Sequence, residues 1–404
     1  MTEYSIWLQG ILGVAAEQTL EVMEKFGNAQ SVFEADYNDL KFSGLFTPRM
    51  LEKIKKRDLT AARKVLNDCK KSGIAVIPIT SPEYPQLLLQ TADPPLVLFA
   101  KGNAALLNGE PTVCIVGPRK ASSYGIRAAF SLAARLSAGG ITVVSGGAVG
   151  ADFAAHSGAL SVGGNTICVF PSGLNSSYLK TNRPLRDKIA ANGLLLSEHT
   201  PFYELKRGDI PKRNRLMSGL SLGTVVIEAG EKSGALITAN TAIEQNRDVF
   251  VIPGSPSLPQ YAGSNKLIAE CARPLLDARN IFEEYYPMFP DKINAEKAYG
   301  KSLKMTDNSL PKQDFHKKSA DAERICGGEK SAAATKDGKI QRKNLNGHLS
   351  KYAKIVYNNL NTRVFSPDEL RVEEIAPSQL LAALGELEIF GYIKALPGGR
   401  YEVL

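Results

Sequence analysis

The sequence predicts an α/β protein built around a doubly wound parallel sheet, because short apolar runs alternate with helical patterns between about residues 110 and 286. The apolar runs are nearly continuous in Val, Ile and Leu, as expected for strands covered on both faces. These runs predict strands over residues 113–116, 142–145, 165–169, 194–197, 223–227 and 248–252. The patterns between them predict helices over residues 124–138, 150–161, 184–192, 215–221 and 235–245.

The flanking segments predict three further parts of the chain. Residues 1–75 show helical spacing without a catalytic constellation, and the core of residues 76–286 begins with a short strand at 74–79. Residues 287–350 are rich in Lys, Asp, Ser, Ala and Gly, which predicts a flexible basic linker. Residues 351–404 predict three helices and a small hairpin, an arrangement that resembles a winged helix. Its third helix carries Glu386 and no Lys or Arg, so a protein contact or structural role is as well supported as DNA binding.

Composition limits the function classes. The 404 residues are 44% hydrophobic and 22% charged, as in soluble globular proteins, and the net charge of +8 favours polyanionic partners without identifying one. The five cysteines show no CxxC or metal spacing, and Cys114 and Cys168 lie in apolar strand-like runs, which predicts reduced core residues rather than disulfides or metal ligands. The chain shows no signal-peptide pattern and no apolar run of membrane-spanning length, so a cytoplasmic protein without a membrane contact is expected.

Four Gly- or cation-bearing turns follow strand ends, where a doubly wound sheet binds its ligands. The first turn offers Gly117 and Arg119, the second offers Ser145, Gly146 and Gly147, and the fourth offers Ser233 and Gly234. The third, Pro211-Lys212-Arg213-Asn214-Arg215, places three cations and an amide at a predicted helix start. Cations, an amide and unpaired helix-start N–H groups together predict an anion site, and the commonest extended anion is a nucleic-acid backbone.

Several polar residues near these turns have a structural interpretation beside a functional one. Asp152 is predicted to cap a helix rather than to act in catalysis, and His156 to be a packing histidine rather than a base or ligand. Glu198 and Glu228 could form a carboxylate pair, but salt bridges to Arg213 or Arg215 are the favoured interpretation. The sequence has no GxGxxG fingerprint, GxxxxGK[ST] loop, HExxH or nucleophile elbow. This pattern predicts a protein that grips phosphates without cleaving them and that uses no cofactor.

The same residues resemble a known family. The resemblance spans about residues 6–282 and is specific because many ordered elements match, among them Tyr84-Pro85, Asp93-Pro94-Pro95, Val116-Gly117-x-Arg119, Ser145-Gly146-Gly147-Ala148-x-Gly150-x-Asp152, Pro211-x-Arg213-Asn214-Arg215, Ser233-Gly234-Ala235-Leu236-Ile237-Thr238 and Gly263-Ser264-Asn265-x-Leu267-Ile268. On these motifs the chain resembles the family of DNA-processing protein DprA, also called Smf. Three segments depart from the family pattern: Pro118 and Lys120 flank Arg119, Tyr178-Leu179 replaces Tyr-Pro, and Pro171-Ser172-Gly173 replaces a Gly-richer turn.

The resemblance implies an N-terminal helical domain like a sterile alpha motif, an extended Rossmann-like core and a C-terminal winged helix. It also implies a homodimer that binds and protects single-stranded DNA during natural transformation and loads the RecA recombinase onto it. The residues implied to line the DNA groove are Gly117, Arg119, Lys212, Arg213, Asn214, Arg215, Ser233 and Gly234. Because only 7% of residues are aromatic, phosphate contacts should dominate, with little sequence preference and steep salt dependence.

Two alternatives stay open at this point. The core also looks like phosphoribohydrolase-like enzymes that hold nucleoside monophosphates, and the segment from Gly223-Thr224 to Glu228 is the feature that favours this class. A purely partner-binding protein that uses the two terminal modules is the other alternative.

Overall fold

The computed structural model describes residues 2–178, 183–299, 349–360, 364–367, 370, 377–389, 392–396 and 400–403. The chain divides into two compact units, Met1–Cys326 and Gly327–Leu404. Among the helices that the structure describes, none combines the length and hydropathy needed to span a bilayer.

Short helices form the start of the first unit: α1 (Thr2–Leu12), α2 (Thr19–Phe26), α3 (Ala29–Glu34), α4 (Tyr37–Phe42), α5 (Pro48–Lys55) and α6 (Thr60–Ser72). Side chains cap three of them, since Asn28, Asp36 and Thr47 accept hydrogen bonds from backbone N–H groups of the following turn. α5 and α6 are separate helices, because Arg57 between them adopts a φ of 46°.

In the part of the chain that is described, nine strands of the first unit form one sheet in the order β1-β2-β6-β5-β4-β3-β7-β8-β9. Their bounds are β1 (Ala75–Pro78), β2 (Val97–Gly102), β3 (Thr112–Val116), β4 (Thr142–Ser145), β5 (Thr166–Phe170), β6 (Leu194–Ser197), β7 (Gly223–Val226), β8 (Asp248–Val251) and β9 (Arg273–Pro274). The seven strands from β3 to β9 run parallel to one another, and β2 joins β6 antiparallel with β1 beyond it. The predicted α/β, Rossmann-like class is therefore confirmed.

Helices cover both faces of this sheet: α7 (Gln86–Leu89), α8 (Ser123–Ala138), α9 (Ala151–Ser161), α10 (Arg183–Asn192), α11 (Asp209–Gly219), α12 (Gly234–Glu244), α13 (Ala262–Glu270), α14 (Arg279–Tyr285) and α15 (Ala295–Tyr299), with 3₁₀ turns at Ala104–Leu107 and Pro259–Tyr261. Alternate residues of β3 enter different cores. Val113 and Ile115 belong to one hydrophobic cluster, while Cys114 and Val116 belong to the other. A strand buried on both faces reads as a continuous apolar run, which explains the sequence pattern.

The predicted start of α11 is wrong by six residues. The helix was expected from Arg215, yet it begins at Asp209, directly after Gly208 with a φ of 92°. Pro211 fits inside the first turn, because the missing N–H of proline has no intrahelical partner there in any case. The cationic cluster therefore lies within the helix rather than ahead of it, and successive side chains point in different directions.

The second unit contains α16 (Lys351–Asn358), α17 (Pro377–Ile389) and three antiparallel strands, β10 (Val364–Phe365), β11 (Ile393–Leu396) and β12 (Arg400–Val403), in the order β10-β12-β11. The first and third predicted helices and the hairpin strands are present. The predicted second helix, from Ser366, falls mostly outside the described residues, as does most of the predicted linker. The winged-helix assignment stays a prediction.

Candidate nucleic-acid interface

The loops after β3, β4, β5, β6 and β7 meet at one edge of the sheet, because these strands are parallel. Among the described residues, the exposed cations of these loops and of the first turn of α11 are Arg119, Lys120, Lys206, Arg207, Lys212 and Lys232. They come from three separate segments of the chain, since the loop after β6 continues into the first turn of α11, so the positive charge extends along the edge. This edge is called the cationic edge below.

Arg119 lies in a loop that Glu228 anchors. The buried Glu228 carboxylate accepts hydrogen bonds from the Ser122 backbone N–H at 3.0 Å, from the Ser122 hydroxyl, and from the Tyr261 hydroxyl at 2.9 Å. Ser122 also caps α8 by accepting from the Gly125 N–H at 3.0 Å. A Cβ at Gly125 would lie 2.5 Å from the Glu228 carboxyl carbon, so glycine makes room for this anchor. The predicted salt bridge from Glu228 to Arg213 or Arg215 is wrong.

Arg213 lies beneath the glycine-rich turn that follows β4. Its side chain is buried, and Nη1 donates to the carbonyl oxygens of Gly146, at 2.9 Å, and of Val169, while Nε donates to Asn214 Oδ1 at 3.2 Å. A Cβ at Gly146 would lie 2.5 Å from Arg213 Nη1. The guanidinium therefore fills the space that the second turn was predicted to offer to an anion.

Three residues of that turn are correspondingly closed to solvent. Ser145, Gly146 and Gly147 are buried, and the Ser145 hydroxyl donates to the Ile115 carbonyl oxygen at 2.7 Å. Gly147 has a φ of 72° with a Cβ position 2.6 Å from Cys168 Sγ, so the glycine satisfies backbone and packing needs. The DNA contact predicted for these three residues has no exposed group to carry it.

Asp152 and His156 have structural roles. The Asp152 carboxylate accepts from the Ala148 N–H at 3.4 Å and holds the turn ahead of α9, so the predicted helix cap is wrong. Burial raises the pKa of Asp152, and the charge of Arg213 opposes this effect. His156 is fully buried, with Nδ1 2.7 Å from Thr166 Oγ1, and burial together with the Arg213 charge lowers its pKa to about 3. A neutral, enclosed imidazole of this kind confirms the prediction of a packing histidine.

Arg215 is held in a buried ion cluster. Its Nη2 lies 2.5 and 2.7 Å from the two carboxylate oxygens of Glu198, and its Nε lies 3.0 Å from Asp93 Oδ2. The side chains of Arg215 and Glu198 are only 8% and 4% exposed. The predicted salt bridge between Glu198 and Arg215 is confirmed, and this arginine has no free face for a ligand.

Of the predicted groove residues, Arg119, Lys212, Ser233 and Gly234 lie at the cationic edge with accessible surface, and Gly117 is half-buried behind them. Ser233 caps α12 by accepting from the Ala235 N–H at 3.3 Å, and the space around Gly234 is open. A Cβ at Gly117 would lie 2.6 Å from Ala151 Cβ, so this glycine serves close packing. Asn214 is buried beside Arg213.

The loop between β6 and α11 was missed at the sequence level. Phe202 is 59% exposed, and the neighbouring Tyr203 stacks on His199 with 4.1 Å between ring centroids, while Lys206 Nζ lies 5.1 Å from the Tyr203 centroid. Burial lowers the pKa of His199; the Lys212 and Lys206 charges act in the same direction, and Asp209 opposes them. Aromatic and basic residues interleaved after a strand end were the available signal.

Two cavities of about 330 and 530 Å³ lie around α14, and their lining residues come from the β8–β9 and α14–α15 regions rather than from the cationic edge. In the described parts of the chain, no group of three His, Cys, Asp or Glu side chains is arranged to hold a metal ion. The candidate site is therefore an extended surface made of loops.

Known proteins share this architecture. The family described as DNA recombination-mediator protein A matches residues 75–286. DNA processing protein DprA of Bacillus subtilis (strain 168) is 41% identical over 221 residues, which cover 55% of this chain and 74% of that protein. DNA processing protein DprA of Streptococcus pneumoniae (strain ATCC BAA-255 / R6) is 34% identical over 296 residues, 70% of this chain and 99% of the relative. An X-ray structure of DprA from Streptococcus pneumoniae superposes with a TM-score of 0.63 at 34% identity, covering 70% of this chain and 98% of that one. The chain belongs to the DNA recombination-mediator protein A family.

Proposed function

We propose that this protein binds single-stranded DNA along the cationic edge, as a recombination mediator that performs no chemistry on the strand. The observation that carries the proposal is the distribution of exposed cations over the loops after β3, β6 and β7 and the start of α11. Charges spread over several loops match a chain of phosphates better than one compact anion.

A mononucleotide substrate fits the site less well. The glycine-rich turn after β4, which the sequence offered as a compact anion site, is filled by the Arg213 guanidinium. Gly223 and Thr224, which favoured a phosphoribohydrolase-like enzyme, are buried within β7, and the Glu228 carboxylate is held by Ser122 and Tyr261. Membership of a family of recombination mediators, which are not enzymes, agrees with this choice.

The exposed ring of Phe202 supports a single strand over a duplex. A base can stack on an aromatic side chain only when the base is free of its partner strand, and each such contact contributes about 1–3 kcal/mol. Exposed Lys206 and Arg207 follow Phe202 in the same loop and could hold the flanking phosphates. Base stacking therefore has a larger part in the proposal than the aromatic content of 7% indicated.

The family description also supports the finer proposals made from the sequence. A recombination mediator must deliver its strand to a recombinase, so we propose that the protein protects incoming DNA in natural transformation and loads RecA onto it. We further propose that it acts as a homodimer in the cytoplasm.

The proposal is tested by fluorescence anisotropy with a labelled oligothymidylate between 50 and 200 mM salt. Arg119→Ala and Lys212→Ala should each weaken binding to all sequences alike. Each should reduce the slope of log K against log salt by about 0.7, because each removes one phosphate contact. An unlabelled duplex should compete less well than an unlabelled single strand.

Lys297→Ala is the matched control, because Lys297 is exposed and lies on α15. The start of this region contacts Gly139, which precedes β4, so α15 lies at the opposite edge of the sheet from the cationic edge. The control should bind as the unchanged protein does. Unchanged affinity and slope in both Arg119→Ala and Lys212→Ala would overturn the assignment of DNA to the cationic edge.

A further inference from the structure

The N-terminal helices carry a pronounced separation of charge. Residues 1–40 contain seven Asp and Glu against one Lys, whereas residues 41–73 contain ten Lys and Arg against three Asp and Glu. The second segment runs from the end of α4 through α5 and α6. So strong a local excess produces a positive potential over this part of the surface.

The lysines of α6 form a strip on its solvent side. Lys64, Lys70 and Lys71 are exposed, whereas Ala62 and Cys69 are buried toward the core. Lys64 and Lys71 are seven residues apart, so they lie on the same face of the helix at a separation of about 10 Å along its axis. Among the described residues, no carboxylate lies within 4.0 Å of any of the three ammonium groups. We call these three residues the α6 strip.

Helix stabilisation does not account for the whole strip. Lys70 and Lys71 lie in the last turn, where cations offset the partial negative charge of a helix end by roughly 0.3–1 kcal/mol. Lys64 lies in the second turn, away from the C-terminal end of α6 and closer to its N-terminal end, where the partial charge is positive. The helix dipole therefore does not stabilise a cation at this position. Exposed Lys53 and Lys56 lie in the last turn and at the C-cap of α5, where the same end effect favours cations, and they add positive charge directly ahead of α6 in the chain.

The end of α6 adjoins the cationic edge. Asn175, in the loop after β5, donates from Nδ2 to Ser72 Oγ at 2.7 Å, and Ser72 is the last residue of α6. The Asn175 N–H in turn donates to the Pro201 carbonyl oxygen at 2.7 Å. Pro201 directly precedes Phe202, so Lys71 is separated from the aromatic and basic loop after β6 by one hydrogen-bonded loop.

We propose that the α6 strip is a second phosphate-binding segment, which receives the same DNA strand as it leaves the cationic edge beside Phe202. The proposal rests on the function proposed above and extends it from the core onto the N-terminal helices. Its ligand is the phosphodiester backbone of single-stranded DNA, bound through unpaired ammonium groups without base recognition.

The strip is less suited to the other common polyanion, an anionic membrane surface. A helix that binds a bilayer buries an exposed apolar face in it. In α6 the apolar side chains of Ala62 and Cys69 are buried against the protein, and Val65 and Leu66 are half-buried. The helix therefore has charge to offer a polyanion and little free apolar surface.

The test compares the triple variant Lys64→Gln, Lys70→Gln, Lys71→Gln with the unchanged protein on a long oligothymidylate. If all three lysines contact phosphates, the slope of log K against log salt should fall by about 2. When the salt is raised from 50 to 200 mM, the triple variant should then lose roughly fifteen- to twentyfold less affinity than the unchanged protein. Shortening the oligonucleotide until it covers only the cationic edge should abolish the difference between the triple variant and the unchanged protein.

The matched control is Lys25→Gln, Lys188→Gln, Lys297→Gln, which removes three exposed lysines outside the strip. A triple variant that equals this control, while Lys212→Ala still weakens binding, would overturn the α6 strip and leave the proposed function intact. If Arg119→Ala and Lys212→Ala are without effect, the proposed function fails instead. Loss of binding to phosphatidylserine vesicles with unchanged DNA binding would assign the strip to a membrane and overturn the proposal.

Discussion

Gly146 is the residue that allows the Arg213 guanidinium to lie under the turn after β4. The guanidinium satisfies two carbonyl oxygens that are shut off from water and lies close enough to Asp152 to oppose the effect of burial on its pKa. An exposed arginine in the same sequence motif would instead present its donors to DNA. A buried arginine contributes mainly to the free energy of unfolding, whereas an exposed one contributes to DNA affinity, so measuring both quantities separates the two roles.

We predict that Arg213→Ala lowers the free energy of unfolding by about 3–5 kcal/mol, because it removes the donor of two buried carbonyl oxygens, at about 1–3 kcal/mol each, and the charge that opposes the burial of Asp152. Urea unfolding should show a shift of the midpoint by roughly 1 M or more. Lys212→Ala, one residue away and exposed, should change stability by no more than about 0.5 kcal/mol. If Arg213→Ala kept its stability while losing as much DNA affinity as Lys212→Ala, Arg213 would contact DNA directly.

The burial of two cations in the motif could not be predicted from neighbouring residues. Arg213 reaches Gly146, 67 residues earlier, and Arg215 reaches Asp93, 122 residues earlier. Only the assembled sheet brings these partners together. The sequence predicted salt bridges from Glu198 and Glu228 to Arg213 or Arg215, because strand ends of a parallel sheet share one edge, and of these the structure contains the one between Glu198 and Arg215.

At the scale of elements, buried parallel strands were predictable to within a residue or two, since each is a local apolar run. The predicted bounds of β4 and β6 are those of the structure. The start of α11 could not be predicted in this way, because a proline and three cations in five residues are typical of a loop. The loop after β6 was missed for a related reason, since its function depends on the exposure of Phe202, which no local pattern reports.

The loop from β3 to α8 offers a test of how one element positions another. Glu228, at the end of β7, holds this loop through the backbone and hydroxyl of Ser122, and Arg119 lies three residues before Ser122. We predict that Glu228→Ala weakens DNA binding by releasing the loop rather than by removing a contact. The double variant Arg119→Ala, Glu228→Ala should then bind about as weakly as Arg119→Ala alone.

A double-mutant cycle in the anisotropy assay measures this coupling. Tyr261→Phe is the matched control, because it removes one hydrogen bond to Glu228 and leaves both bonds to Ser122 in place. Its DNA affinity should be close to that of the unchanged protein. Additive effects of Arg119→Ala and Glu228→Ala would show that Glu228 does not act through the Arg119 loop.

At the scale of the whole molecule, the N-terminal helices and the sheet share one hydrophobic cluster, which includes Trp7, Leu98 and Leu196. Polar contacts reinforce this connection. The Gln9 side chain donates to the Glu198 carbonyl oxygen at 2.8 Å and accepts from the Val97 N–H at 2.6 Å. The Glu198 carboxylate also accepts from the Ala15 N–H at 3.0 Å, so the ion cluster of Arg215 connects α1 and the loop after it to the cationic edge.

We predict that residues 1–75 and the sheet unfold together rather than as separate domains, and that Arg215→Ala destabilises both. The variant leaves the buried Glu198 carboxylate without its cation, at a cost of about 3–5 kcal/mol. Trp7, the single tryptophan of the chain, lies in α1, so its fluorescence reports on the N-terminal helices. Hydrogen exchange of peptides from β5 and β6, at the same urea concentrations, reports on the sheet.

Both probes should give one midpoint in the unchanged protein, and Arg215→Ala should lower both midpoints equally. Arg63→Ala, which breaks the exposed pair with Glu3, should change the free energy of unfolding by less than about 1 kcal/mol and so leave both midpoints nearly unchanged. A Trp7 transition at lower urea concentration that Arg215→Ala does not change would show instead that the N-terminal helices are an independent domain. The α6 strip would then have no fixed position relative to the cationic edge.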